Sequence, residues 1–137
     1  MNKIAVILFV LTAAIGISHT ALAQLNAVNI LPVNAASRLE NCNNMSYLAY
    51  QAKGMEIPND AVEKMFVLVD GCIATAKADT NRDYQAALNL VKNNPRYVAK
   101  VNSYHTYWLS IIGNKGTKDD QTLSKLKQLA EPLSFFR

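Results

Sequence analysis

The chain is short of the residues on which most protein chemistry depends. In 137 residues it has two histidines, two cysteines, one tryptophan and five glycines. It contains no His-Glu-x-x-His pair, no Gly-rich phosphate loop and no Gly-x-Ser-x-Gly elbow. Linear signatures for zinc-dependent hydrolysis, phosphate cradling and the α/β-hydrolase nucleophile are therefore missing. Cys-x-x-Cys and Cys-x-x-Cys-His are also missing, and with them the usual dithiol and covalent-haem patterns. Charge is not segregated: fourteen Lys and Arg are interleaved with ten Asp and Glu, for a formal +4. That distribution does not favour nucleic-acid binding. The nearest thing to a basic cluster is Lys115, Lys118, Lys125 and Lys127; Asp119 and Asp120 interrupt it, and it reads as a solvated helix face. No alternating strand pattern and no internal repeat is found.

What is present begins with an export-type leader. Met1-Asn2-Lys3 carries one positive charge, Ile4 to Ile17 is apolar apart from Thr12 and Gly16, and Ala21-Leu22-Ala23 places small residues where a signal peptidase needs them. The apolar run is shorter than the ~20 residues a membrane span requires, and no later stretch reaches that length. Residues 1–23 are therefore expected to be a cleaved signal peptide and the product to be periplasmic or secreted. Cleavage removes Lys3 and no acid, which lowers the formal charge from +4 to +3, and it takes away His19, leaving His105 as the one histidine.

The rest reads as helix. Residues 24–34 are the exception, where Pro32 and several asparagines predict an extended N-terminal arm. Residues 35–137 are expected to form a single all-α domain, a compact bundle of four to five short helices. The first runs from about Ala35 to Lys53, capped by Asn34 and ended by Gly54. The second opens at Asp60 with Glu63 in capping-box spacing and carries Val62, Met65, Phe66, Val69, Cys72, Ile73 and Ala76 on one face. Thr80 and Asp83 predict a third start. Asn94-Pro95 opens a fourth helix, apolar over a wide arc that includes Val98, Val101, Tyr104, His105, Trp108 and Ile112. Thr117 and Asp120 open a fifth, which Pro132 ends.

The two cysteines form the sharpest constellation. Cys42 lies eleven residues before Lys53 and Cys72 eleven after Ala61. Antiparallel helices joined by the intervening loop would place both thiols ~16 Å from the turn. In an exported chain this predicts one intramolecular disulfide, Cys42–Cys72.

Few groups remain for catalysis or ligation. His105 has no acid within four residues, so no metal site is expected, and it reads as a core or boundary imidazole. Ser103 and Ser110 do not share its helical face. Asp60, Asp83 and Asp120 are explained as helix-start residues, and Asp70 as a boundary carboxylate. Asn44-Met45-Ser46 matches a glycosylation sequon but falls inside a predicted helix. Among the aromatics, Tyr107 lies off the main stripes and is the leading candidate for a partner contact, with Tyr104 and Trp108 contributing.

Locally, Gly71-Cys72-Ile73-Ala74-Thr75-Ala76 and Tyr104-His105-Thr106 are similar to stretches of small periplasmic immunity proteins, which the ground plan of leader, helices and disulfide also resembles. There the second cysteine belongs near the Tyr-His stretch, whereas here it stands at Cys42, and the likeness carries over no binding residues. The expected function is that of a small exported, non-catalytic binding protein, an inhibitor or immunity type acting on another protein through its surface. The alternative is a small-molecule or lipid carrier with an apolar cavity lined by the fourth helix; an unrecognised hydrolase built on His105 comes third. No cofactor, metal, nucleic acid or stable membrane insertion is expected.

Overall fold

A computed structural model describes residues 26–113 and 119–137. The expected leader and Thr117 lie outside the described residues. Among those described there are four helices and no strand: α1 (Ala27–Lys53), α2 (Asn59–Val91), α3 (Pro95–Ile112) and α4 (Asp120–Ser134). None of them is long and apolar enough to cross a membrane. The all-α bundle read from the sequence is the fold observed, and the cysteines form one disulfide, Cys42–Cys72.

Several element boundaries differ from expectation. The N-terminal arm is not extended, because α1 begins at Ala27 and runs through Pro32. Asn26 makes this possible. Its side chain accepts from the Val28 and Asn29 amides at 2.9 and 3.1 Å, and the Asn29 side chain accepts in return from the Asn26 amide at 3.3 Å. A proline inside a helix costs about 3 kcal/mol through its missing N–H and ring clash. Complete burial of Val28 and Leu31, together with a hydrogen bond from the Tyr104 hydroxyl to the Pro32 carbonyl, offsets that cost.

The second difference is that α2 does not break at Thr80; it runs on to Val91 and is 33 residues long in all. Thr80 and Asp83 do not cap a helix start. The Arg38 guanidinium donates to the Thr80 hydroxyl at 3.2 Å and to Asp83 at 2.7 Å, and the Asn34 amide donates to Asp83 at 3.0 Å. Residues with the look of helix starts instead fasten α1 to α2. Similarly, Pro58 occupies the N-cap of α2 without a side-chain cap, and Asp60 pairs with Lys64 at 3.6 Å. Pro132 lies within α4 rather than after it.

The architecture is a long antiparallel hairpin, α1 and α2, with α3 and α4 packed across one side of its lower half. The main core gathers Val28, Leu31, Ala35, Leu39, Ala87, Val91, Val101, Tyr104, Trp108, Ile112 and Leu133 there. Beyond the disulfide, toward the turn at Gly54–Pro58, the hairpin is two helices thick. Its seam is built from small side chains: Ser46, Ala49 and Ala52 of α1 are buried against Val62 and Val69 of α2. Small residues at helical spacing let two helices approach closely, but they bury little apolar surface per residue.

Candidate functional site: the outer face of the hairpin

The aromatic residues predicted to touch a partner separate into two groups. Tyr104 and Trp108 are fully buried and belong to the main core, so the partner-contact role read for them is corrected. The Trp108 indole N–H donates to the Ala35 carbonyl at 2.7 Å, which satisfies its polar atom and locks α3 onto α1. Burial pushes the Tyr104 phenol well above its usual range. Both side chains fill the wide apolar arc of α3, so that arc is packed core and not the lining of a cavity. Tyr107 is half-buried. Its hydroxyl donates to the Thr122 carbonyl at 3.2 Å, and the Lys125 ammonium lies 4.7 Å from its ring centre. It stitches α3 to α4.

His105 is 8% exposed and stacks on Tyr84, with ring centres 3.8 Å apart and planes 9° from parallel. The Tyr84 hydroxyl donates in turn to Asn102 at 2.9 Å. No ion pair among the described residues includes His105, and its Nε2 has no hydrogen-bond partner there. Burial lowers the imidazole's pKa from 6.5, which favours the neutral ring. A general base needs a substrate within hydrogen-bond reach and an orienting group; this ring has a stacking partner and a position in the α2–α3 seam. Among the described residues no group of three His, Cys, Asp or Glu could hold a metal ion. Ser46 of the sequon is buried, with 2% exposure.

The feature that stands out lies on the flank of the hairpin turned away from α3 and α4. Helical spacing puts Arg38, Asn41, Met45 and Leu48 on this flank of α1, and Leu68, Cys72, Thr75 and Asp79 on the matching flank of α2. Between them runs an open groove of about 480 Å³ with the disulfide in its lining. Its lower end is polar, formed by Arg38, Asn41 and Asp79. Arg38 is held by Asp83 there, and Asp79 by Arg82. Its upper end is apolar and uncovered. Val67 is 69%, Leu68 63% and Leu48 58% exposed, while Met45 is half-buried between them. On the opposite flank the Tyr50 and Phe66 rings meet edge-to-face at 5.1 Å, with Tyr50 46% exposed.

No family model matches the chain, and no curated protein or solved structure matches it either. The functional reading therefore rests on the surface itself. A second cleft of about 540 Å³ lies between α1 and α4, lined by Leu39, Glu40, Asn43, Asp120, Leu123 and Lys127. It is open and mixed in polarity, unlike the enclosed apolar chamber that a carrier needs.

Sequence reasoning passed over the groove residues because Val67 and Leu68 fall off the main stripe of their helix. A signal was available. Met65-Phe66-Val67-Leu68-Val69 is apolar for five consecutive residues, more than one turn, and so must present apolar side chains to more than one direction.

Proposed function

We propose that the chain is an exported, non-catalytic protein-binding module of the inhibitor or immunity kind, and that it engages its partner through the outer face of the hairpin. The observation that carries this reading is Val67 and Leu68, each more than half exposed in the lining of the groove, with Leu48, 58% exposed, three residues beyond the groove residue Met45. Single exposed apolar residues are ordinary, whereas a contiguous uncovered group rimmed by polar side chains marks an interaction surface. Export is supported by the leader-like residues 1–23 and by a disulfide of the kind that persists in oxidising compartments. A periplasmic or secreted location follows from this reading, as does a partner that is itself a protein.

The test compares mature protein with Leu48→Glu and Leu68→Glu variants as bait for periplasmic and secreted extracts. Stoichiometric recovery of one protein by the parent, lost in both variants, is the expected result. Recovery that is equal in all three moves the binding site off this face. N-terminal sequencing of protein recovered from the periplasm or medium should begin at Gln24, and a chain that keeps its first residues rules out the leader reading.

A further inference from the structure

Three ion pairs share the outer flank of the hairpin. Arg38 is held by Asp83 at 2.7 Å, Arg82 by Asp79, and Lys64 by Asp60 at 3.6 Å. Between Asp60 and Asp83 the other charged residues of α2 are Glu63, Asp70 and Lys77. Counted around the helix at ~100° per residue, each of them falls roughly 140° or more from Leu68. Glu63, one turn before Val67, marks the far rim of the flank. Between Asn34 and Gln51 of α1 the charged residues are Arg38 and Glu40, and Glu40 lines the separate cleft against α4. The strip between these limits therefore balances three acids against three bases, each held within the chain. What lies among the pairs is neutral: Asn41, Met45 and Leu48 on α1, and Leu68, Gly71 and Thr75 on α2.

A neutral strip discriminates between partners. A charged partner surface pressed onto it would lose hydration and meet no free counter-charge, whereas apolar and uncharged side chains lose little. Its extent suits a lasting complex. From Asp60 to Asp83 it is ~35 Å long and two helices, ~20 Å, wide, or roughly 700 Å², close to the ~800 Å² that each partner contributes to a standard stable interface.

Its shape narrows the choice further. The groove residues of α2 run from Val67 to Asp79, ~18 Å or about three helical turns. At its middle a Cβ built on Gly71 meets no atom within 4 Å, and Ala74, Thr75 and Ala78 are exposed and small. Small side chains let a second helix approach closely. The same hairpin already takes a helix on its other side, where α3 is fixed by the Trp108 hydrogen bond to Ala35.

We infer that the outer face receives a helix of the partner protein whose contact side is apolar and uncharged, lying along the groove with its large side chains against Leu48, Val67 and Leu68. The inference rests on the reading of this face as a docking surface and adds the chemistry of its occupant. Association by such a face depends on apolar contact and not on charge, so it is indifferent to salt.

The probes are three synthetic helical peptides with the same leucine stripe at i, i+3, i+4 and i+7, flanked by glutamine, lysine or glutamate. Binding to the oxidised mature protein is read by fluorescence anisotropy. The glutamine peptide should bind at least about tenfold more tightly than either charged one. Its affinity should change less than about twofold between about 0.05 and 0.5 M salt. Leu68→Glu should weaken it about tenfold, with circular dichroism checking that the variant folds. Arg82→Gln, which frees the Asp79 carboxylate, should improve the lysine peptide severalfold in low salt alone. Binding by none of the peptides, preference for a charged one, or equal affinity for parent and Leu68→Glu overturns the proposal. If Leu68→Glu abolishes capture of a protein partner that salt strips from the parent, this proposal falls and the docking reading stands.

Discussion

The lower and upper halves of the molecule hold together by different means. The lower half has four helices around large side chains, with Trp108, Tyr104, Leu31 and Ile112 fully or almost fully buried. The upper half has two helices around Ser46, Ala49, Ala52, Val62 and Val69, and a disulfide at its root. One half is stabilised by burial, and the other by a covalent link and a narrow seam. Both halves leave large apolar side chains exposed, among them Val33, Leu90 and Phe135 on the packed one and Leu48, Met55, Val67 and Leu68 on the thin one; Val67 and Leu68 stand in the lining of the groove that holds the disulfide.

The comparison can be broken at its strongest point first. Trp108→Ala removes the largest buried side chain and, with it, the indole hydrogen bond to the Ala35 carbonyl, so a loss of about 3–5 kcal/mol is expected from urea denaturation. Amide exchange should rise in all four helices, because the core they share has been opened. If exchange rises in α3 alone, the two-half description is wrong.

Next in size is the link. Replacing both cysteines by serine should cost on the order of 3 kcal/mol for a loop spanning a sequence separation of 30. Here exchange should rise between residues 43 and 71 well before it does in α3. Uniform loss of protection would mean that the upper hairpin unfolds only with the rest.

Smaller again is the Arg38–Asp83 pair, whose side chains are about one quarter exposed. A double-mutant cycle with Arg38→Met and Asp83→Asn should give a coupling of about 1 kcal/mol or less, discounted for that exposure. Because the pair sits at the polar end of the groove, it should leave exchange near the turn unchanged.

The last expectation is a slope in pH rather than a fixed cost. Burial lowers the folded pKa of His105 below its ordinary value, so the stability it confers is fully present above the unfolded pKa, about 6.5. That stability is lost as pH falls from there through the folded value. His105→Phe keeps a ring against Tyr84 and cannot titrate. Urea midpoints measured from pH 7.5 to 5 should therefore fall less steeply in the variant; parallel curves would mean that this imidazole does not feel its burial.

The helices and the disulfide were legible because their signals are local or nearly so. Gly54 ends α1 and Asn94-Pro95 opens α3, as read. The equal spacing of Cys42 and Cys72 from a common turn is a property that the folded hairpin preserves. The residues misread as starts were legible only as types. Asn34, Thr80 and Asp83 have the side chains of caps, but their partners lie 42 to 49 positions away in the chain, and no local pattern reports such pairing. Trp108 and Tyr104 failed for another reason. Apolar spacing on α3 covers too wide an arc to say which part meets α1, and only the packing of the hairpin decides it. The outer face was illegible in the same sense, since exposure of Leu68 depends on where α3 and α4 stop.

The small-residue seam of the upper hairpin has an evolutionary consequence. Ala49, Ala52 and Ser46 are held to their size by the neighbouring helix, because a larger side chain would force the helices apart at a cost of about 1–3 kcal/mol. Leu48, Val67 and Leu68 touch little and are free of that demand. Lineages can therefore rewrite the outer face while keeping the same hairpin, so that recognition diversifies faster than architecture. A set of descendants should show near-constant seam positions beside rapidly drifting ones a single residue away, a pattern that sequencing of related chains can measure directly.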